Sequence, residues 1–243
     1  MKKFYVLASA LVMIITMSVV SSAVAQTQEK TRYEITVTNL TRGQRFTPPF
    51  VVIHKPGVRL FTLGEPVSPQ LAALVEDASP NALGVLLAGL PEVKEVITAA
   101  TPPANALIDP GKSSTVTVET TTTFNQISLI SSLIPTNDAF IAVNGVAGPK
   151  GDNTLSLFVP AYDAGSERND ELCASIFGPA ITECGGAGGG GHPGGGEGFV
   201  YIHNGIHGVG NLDAALRDWG NPVARILIRR VGAVGQVAAG LDL

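Results

Sequence analysis

Residues 33–40, YEITVTNL, put Tyr33, Ile35, Val37 and Asn39 on one face and Glu34, Thr36, Thr38 and Leu40 on the other. A period of two with β-branched content predicts a strand. The same kind of signal recurs along the chain. It marks residues 50–53, the β-branched run 113–124, and then 126–134, 140–143, 155–159, 199–203 and 224–231. Glycines and prolines, 28 and 16 of them, punctuate these runs. Strands this short, separated by such turns, restrict the chain to a mostly β architecture, an antiparallel β-sandwich. A short helical insertion interrupts it. Ser68 before Pro69 predicts an N-cap with proline at the first helical position, and Leu71, Leu74 and Val75 follow on one helical face. A second short helix is expected over 81–87, before Gly89 and Pro91, and a loop over 98–111. The segment LDAALRDWGNPV predicts a loop or a single helical turn, and no internal repeat is present.

The first 25 residues have the form of a secretory signal. Lys2 and Lys3 precede an apolar run over 4–20, and Ala23-Val24-Ala25 supplies a small-residue cleavage site. An uncleaved anchor competes with this reading, but the A-x-A site favours removal. No later stretch is long and apolar enough to span a bilayer. The expected organisation is a signal over 1–25, a flexible lead over 26–32, a β-sandwich domain over 33–231 and a flexible tail over 232–243. The tract GGAGGGGHPGGGEG at 185–198 is expected as a flexible loop inside the domain. The product would be exported, periplasmic or extracellular. Removing a segment with two lysines and no acid takes the formal net charge from −4 to −6, which argues against nucleic acid or an anionic membrane as the main partner. In an oxidising compartment the two cysteines, Cys173 and Cys184, allow one disulfide, worth about 3 kcal/mol in the chain-entropy model. Two free thiols or a metal pair are the weaker alternative, because eleven positions do not make a compact metal knuckle.

Only 15% of the chain is charged, yet YDAGSERNDE at 162–171 gathers Asp163, Glu167, Asn169, Asp170 and Glu171 directly after the apolar run LSLFVP. Asp138 stands at another loop–strand junction. Calcium takes about 6–8 oxygen ligands, and carboxylates on neighbouring loops at one end of a sandwich can provide them. Asn137 and the carbonyls around Ala164 would add oxygens. The same residues are equally compatible with a turn cap at Asp138 and a solvated loop at 163–171. A second candidate is a transition-metal site, and with it a metal-dependent hydrolase, built from His203, His207 and Glu197 with His192. Against it, Asn204-Gly205 and Gly208 predict a turn rather than a helix that would align the two histidines. Asp109-Pro-Gly-Lys112-Ser113 lacks the upstream glycine of a phosphate loop, and no G-x-S-x-G elbow is present. Trp219, the single tryptophan, reads as a core or rim anchor.

Three segments together resemble the spondin domain: Tyr33-Glu-Ile-Thr-Val-Thr-Asn, Pro135-Thr-Asn-Asp138-Ala-Phe and Tyr162-Asp163-Ala-Gly-Ser-Glu167. So does the ending Asn221-Pro-Val-Ala-Arg-Ile. The resemblance spans residues 32–231. It implies a β-sandwich of synaptotagmin type that binds one calcium ion through loop carboxylates, with no catalysis. The implied ligands fall on Asp138, Asp163 and Glu167. Animal members carry Asp where this chain has Glu167, which keeps the charge and adds a methylene. The family is associated with cell adhesion and extracellular matrix, so the implied partner is a protein or glycan of the envelope or the extracellular space. On this resemblance Asn169, Asp170 and Glu171 are expected as a solvated lead-in to the cysteine loop.

Overall fold

The computed structural model describes residues 29–98 and 106–234. The expected signal segment and most of the expected tail lie outside those residues. Two antiparallel sheets face each other. The first has the order β5 (Ser113–Thr121), β1 (Lys30–Asn39), β11 (Ala224–Val234), β8 (Thr154–Val159). The second runs β10 (Tyr201–Ile202), β9 (Tyr162–Asp163), β7 (Ala139–Ala147), β6 (Gln126–Ile134), β3 (Phe50–His54), β4 (Val93–Thr98), with β2 (Arg45–Phe46) paired to β6. This is the mostly β, sandwich-like architecture expected from the strand pattern.

Between the sheets lies the main core. Tyr33, Ile35 and Val37 of β1 meet Val51 and Ile53 of β3, Ile127 and Leu129 of β6, and Ile226 and Ile228 of β11. The alternation of β1 is realised as read: Tyr33, Ile35, Val37 and Asn39 are buried and Leu40 is exposed. Strands β3 and β6 do not alternate in burial, because the second sheet is covered on both faces. Phe50, Val52, Ile130 and Phe140 point away from the sandwich core and pack under two helices, α1 (Pro69–Asp77) and α2 (Asn81–Ala88). Two-sided burial turns a period-two pattern into a continuous apolar run. The molecule therefore has three layers, sheet on sheet on helix pair.

Helix α1 begins where its sequence signal places it. Ser68 Oγ accepts the Leu71 N–H at 3.2 Å, and Pro69 occupies the first turn. Ser68→Ala should cost about 1 kcal/mol. For a domain of this size that lowers the thermal midpoint by about 3 °C, to be read by circular dichroism melting. The Leu74 carbonyl accepts Ser132 Oγ at 3.0 Å, which ties α1 to β6. Strand β4 was not expected. Its exposed edge gives VKEVIT a half-buried, charge-interrupted pattern with no clean period. Strand β1 begins at Lys30 and β11 extends to Val234, so both continue past the limits read from sequence. Helix α3 (Ala214–Arg217) is the single turn anticipated, capped by Asp213. Among the described residues no helix is long and apolar enough to cross a membrane.

The disulfide Cys173–Cys184 is formed. The glycine tract beside it departs from expectation: it is strapped down, not free. Gly188, Gly189 and Gly190 donate their N–H groups to the carbonyls of Gly178, Cys173 and Ile176. A Cβ on Gly188 would lie 2.0 Å from the Ile176 carbonyl oxygen, and one on Gly196 would lie 2.5 Å from that of Gly165. Here the glycines permit backbone to lie on backbone. Low complexity alone does not distinguish that use from a flexible linker.

Candidate functional site

Asp138 and Asp163 meet because of strand register. Thr136 closes the turn after β6, donating to the Leu133 carbonyl at 2.6 Å and accepting the Ala139 N–H at 3.2 Å. That sets Asp138 at the mouth of β7. In the β7–β9 pairing Ala139 lies opposite Asp163, and the Ala164 N–H reaches the Asp138 carbonyl. The two carboxyl groups lie close enough for the Asp163 charge to act on Asp138, and both residues are 0% exposed.

Their donors differ. Asp138 Oδ2 accepts the N–H groups of Ser166 (2.8 Å) and Glu167 (3.0 Å) and the Ser166 hydroxyl (3.2 Å). The loop 164–167 thus wraps the Asp138 carboxylate, while Asp138 Oδ1 is buried with no donor. Asp163 Oδ1 accepts the Gly165 N–H at 2.8 Å, and Oδ2 accepts Asn169 Nδ2 at 2.7 Å. Burial, and then the adjacent Asp163 charge, push Asp138 up to about 8, against the pull of the Glu167 and Ser166 N–H groups. At neutral pH without a cation, Asp138 is therefore the protonated member.

Glu167 is also buried, 1% exposed, but its carboxylate belongs to a different neighbourhood. Oε1 accepts the His192 N–H from the glycine tract, and Oε2 is buried without a donor. Burial pushes Glu167 up to about 7, helped by the charges of Glu76, Asp77 and Asp170. Glu167 therefore joins the Asp138–Asp163 pair through its backbone N–H, and its side chain points to helix α1. Among the described residues no group of three or more His, Cys, Asp or Glu side chains stands close enough to hold a metal ion by itself.

The expected solvated lead-in is instead a set of anchors. Asn169 bridges Asp163 to the Tyr201 hydroxyl (3.0 Å). Asp170 accepts from Leu172 N–H, Ser175 Oγ and Asn137 Nδ2; burial pushes its carboxyl up, but these bonds together hold it below the ordinary range. Glu171 is 3% exposed and sits at φ 55°. Its two oxygens accept the N–H groups of His207 (2.6 Å) and Val209 (2.9 Å), and its own N–H reaches Asn137 Oδ1. Three polar residues in a row look like solvent-facing loop; Asn169 and Asp170 are half-buried and Glu171 is buried, through partners 32 to 38 positions away.

The histidine set does not converge. His203 is buried against Trp219, ring centroids 5.0 Å apart, whereas His207 is exposed. His203 Nδ1 accepts the Gly205 N–H at 3.0 Å and so carries no proton. The proton of the neutral ring must then sit on Nε2, which faces Asp163 Oδ2 at 3.6 Å. A protonated Nε2 has no lone pair for a metal. Burial holds His203 below the usual histidine value, keeping the ring neutral. Glu197 stands beside the Tyr201 hydroxyl, and burial together with Asp163 and Glu197 raises that phenol.

The Spondin_N family model matches residues 27–167, a span that contains Asp138, Asp163 and Glu167. A search of curated proteins gave no match. Beyond the matched span, β10 and β11 complete both sheets, β11 through ten-residue pairing with β1. The chain belongs to the Spondin_N family.

Proposed function

We propose that this protein is an exported, calcium-binding recognition module without catalysis, whose calcium is held by the Asp138 and Asp163 carboxylates, with Glu167 positioning Asp138 through its main-chain N–H. The family is one of extracellular recognition and adhesion modules, and the disulfide is in keeping with an oxidising compartment. One observation carries the calcium reading: two fully buried carboxyl groups stand side by side with Asp138 Oδ1 unpartnered. A buried acid pair is costly unless a proton or a cation compensates it. All the donors are hard oxygens, which suits calcium rather than zinc or copper. Main-chain carbonyls and water would supply the remaining ligands. Calcium then replaces the Asp138 proton and fixes the loops 135–138 and 163–171 against each other. Those loops form the rim on which a protein or glycan partner docks.

Calorimetric titration of the exported protein with calcium chloride should give saturable binding accompanied by proton release near pH 7. Asp163→Asn should abolish binding at the Asp138–Asp163 position while the protein still melts cooperatively. Absence of calcium heat, together with equal melting temperatures in EGTA and in millimolar calcium, would overturn the proposal. If Asp138→Asn loses partner binding and keeps its fold, the site serves recognition; if the fold is lost, calcium is only a structural staple.

A further inference from the structure

The side chain of Glu167 leads away from the aspartate pair to a second place where buried carboxylate oxygens lack partners. Helix α1 ends with Glu76 and Asp77. Glu76 is 3% exposed, and its Oε1 is buried without a donor. Glu167, 1% exposed, leaves Oε2 in the same condition. The glycine tract brings these residues together. Consecutive N–H groups clamp two of the carboxylates, Gly191 on Asp77 Oδ1 (2.8 Å) and His192 on Glu167 Oε1. A Cβ on Gly191 would lie 3.0 Å from Glu76 Cβ and 3.1 Å from Asp77 Oδ1, so the strap lies directly on the end of α1. Bridges from Glu167 to Gly194 and Gly195 hold its other side.

We infer that Glu76 and Glu167, with Asp77 at the rim, form a second site for a hard divalent cation, roofed by the glycine tract and joined to the aspartate pair through the Glu167 main chain. Two features carry it. The unpartnered oxygens come from two elements, α1 and the 164–167 loop, and both residues are more than nine-tenths buried. Among the described residues no Lys or Arg is hydrogen-bonded or ion-paired to Glu76, Asp77 or Glu167. The extra methylene of Glu167 extends its carboxylate toward α1, where its second oxygen is free to accept a cation. Main-chain carbonyls and water complete the 6–8 oxygens such an ion takes. The cation would link the helical layer, the strap and the loop that wraps Asp138. This second position rests on the calcium reading only through the Glu167 main chain, and its test separates the two.

The exported protein is titrated calorimetrically with calcium ions alone, as wild type, Glu76→Gln and Asp163→Asn. The expected result is two equivalents for wild type and one for Glu76→Gln. Glu76→Gln retaining the wild-type stoichiometry and affinity overturns the second site. Asp163→Asn reports on the first position alone, so failure of one reading is distinguishable from failure of the other. Because Glu76→Gln is isosteric and relieves like-charge repulsion, its melting temperature in EDTA should equal or exceed that of wild type. A lower one, with unchanged calcium stoichiometry, would mean that Glu76 and Glu167 share a proton and bind no cation.

Discussion

Glu171→Ala is expected to destabilise the protein by about 4 kcal/mol, on the basis that a hydrogen bond to a charged group contributes roughly 1.5–3 kcal/mol. Glu171 looks dispensable in sequence, one acid in an acidic loop. In the structure its carboxylate is the acceptor for both the His207 and Val209 N–H groups, and its carbonyl accepts the Asn211 N–H. The loop between β10 and α3 therefore depends on one side chain 36 to 38 residues away. Gly210 shows how close the approach is: a Cβ there would lie 2.3 Å from the Asp170 carbonyl oxygen. Removing the carboxylate strands two amide donors and leaves a hole beside Asn137. For a domain of this size the thermal midpoint should fall by about 10 °C. Glu171→Gln, which keeps one carbonyl acceptor, should lose about half as much. A loss below about 1 kcal/mol for Glu171→Ala, where water serves the two donors equally well, would refute the anchoring role.

The second large effect is a dependence of stability on pH that calcium should abolish. Without calcium, Asp138 holds its proton up to about 8 in the folded state, whereas an unfolded aspartate loses it near about 4. The folded state thus binds more protons between those values, and stability falls as pH rises through that window. Glu167, at about 7, acts in the same direction over the lower part. His54 and His203 act oppositely. Burial holds both below the ordinary histidine value, so their contribution is lost as pH falls below about 6.5. Glu183, held down at about 2 by Arg217, changes only in strong acid. From pH 6.5 to 8 the aspartate pair therefore dominates. In EDTA the protein should lose about 2 kcal/mol across that range, the 1.36 kcal/mol per pH unit of one retained proton. In millimolar calcium, which binds the ionised pair, the profile should be flat, and Asp138→Asn should flatten it in EDTA as well. A chelated protein whose melting temperature stays constant or rises from pH 6.5 to 8 would show that Asp138 is already ionised.

What the chain states locally, it states well. The alternation of residues 33–39 gives β1 its buried face, and the TVTV run gives β5 its own. Ser68-Pro69 starts α1. Two cysteines leave one bridge, and that bridge forms. Asp138 and Asp163 stand out in sequence as acids at strand ends, and register brings them together. These signals are local because dihedral preference, capping and side-chain period act over one to four residues.

The rest depends on what lies opposite. Two-sided burial of β3 and β6 requires the helix pair to fold over the second sheet. Strand β4 exists because β3 offers it an edge. The glycine tract is a strap because Ile176, Gly165 and the end of α1 present surfaces that only backbone can approach so closely. Glu167 turns toward Glu76, and Glu171 becomes an anchor, through partners 25 or more residues away. By itself the sequence determined the strand class, the helix start, the disulfide and the two aspartates at the loop–strand junctions. Only the tertiary structure decided which carboxylates are buried, which share donors and which are left unpartnered, because the cost of burying charge is set by neighbours that packing brings together.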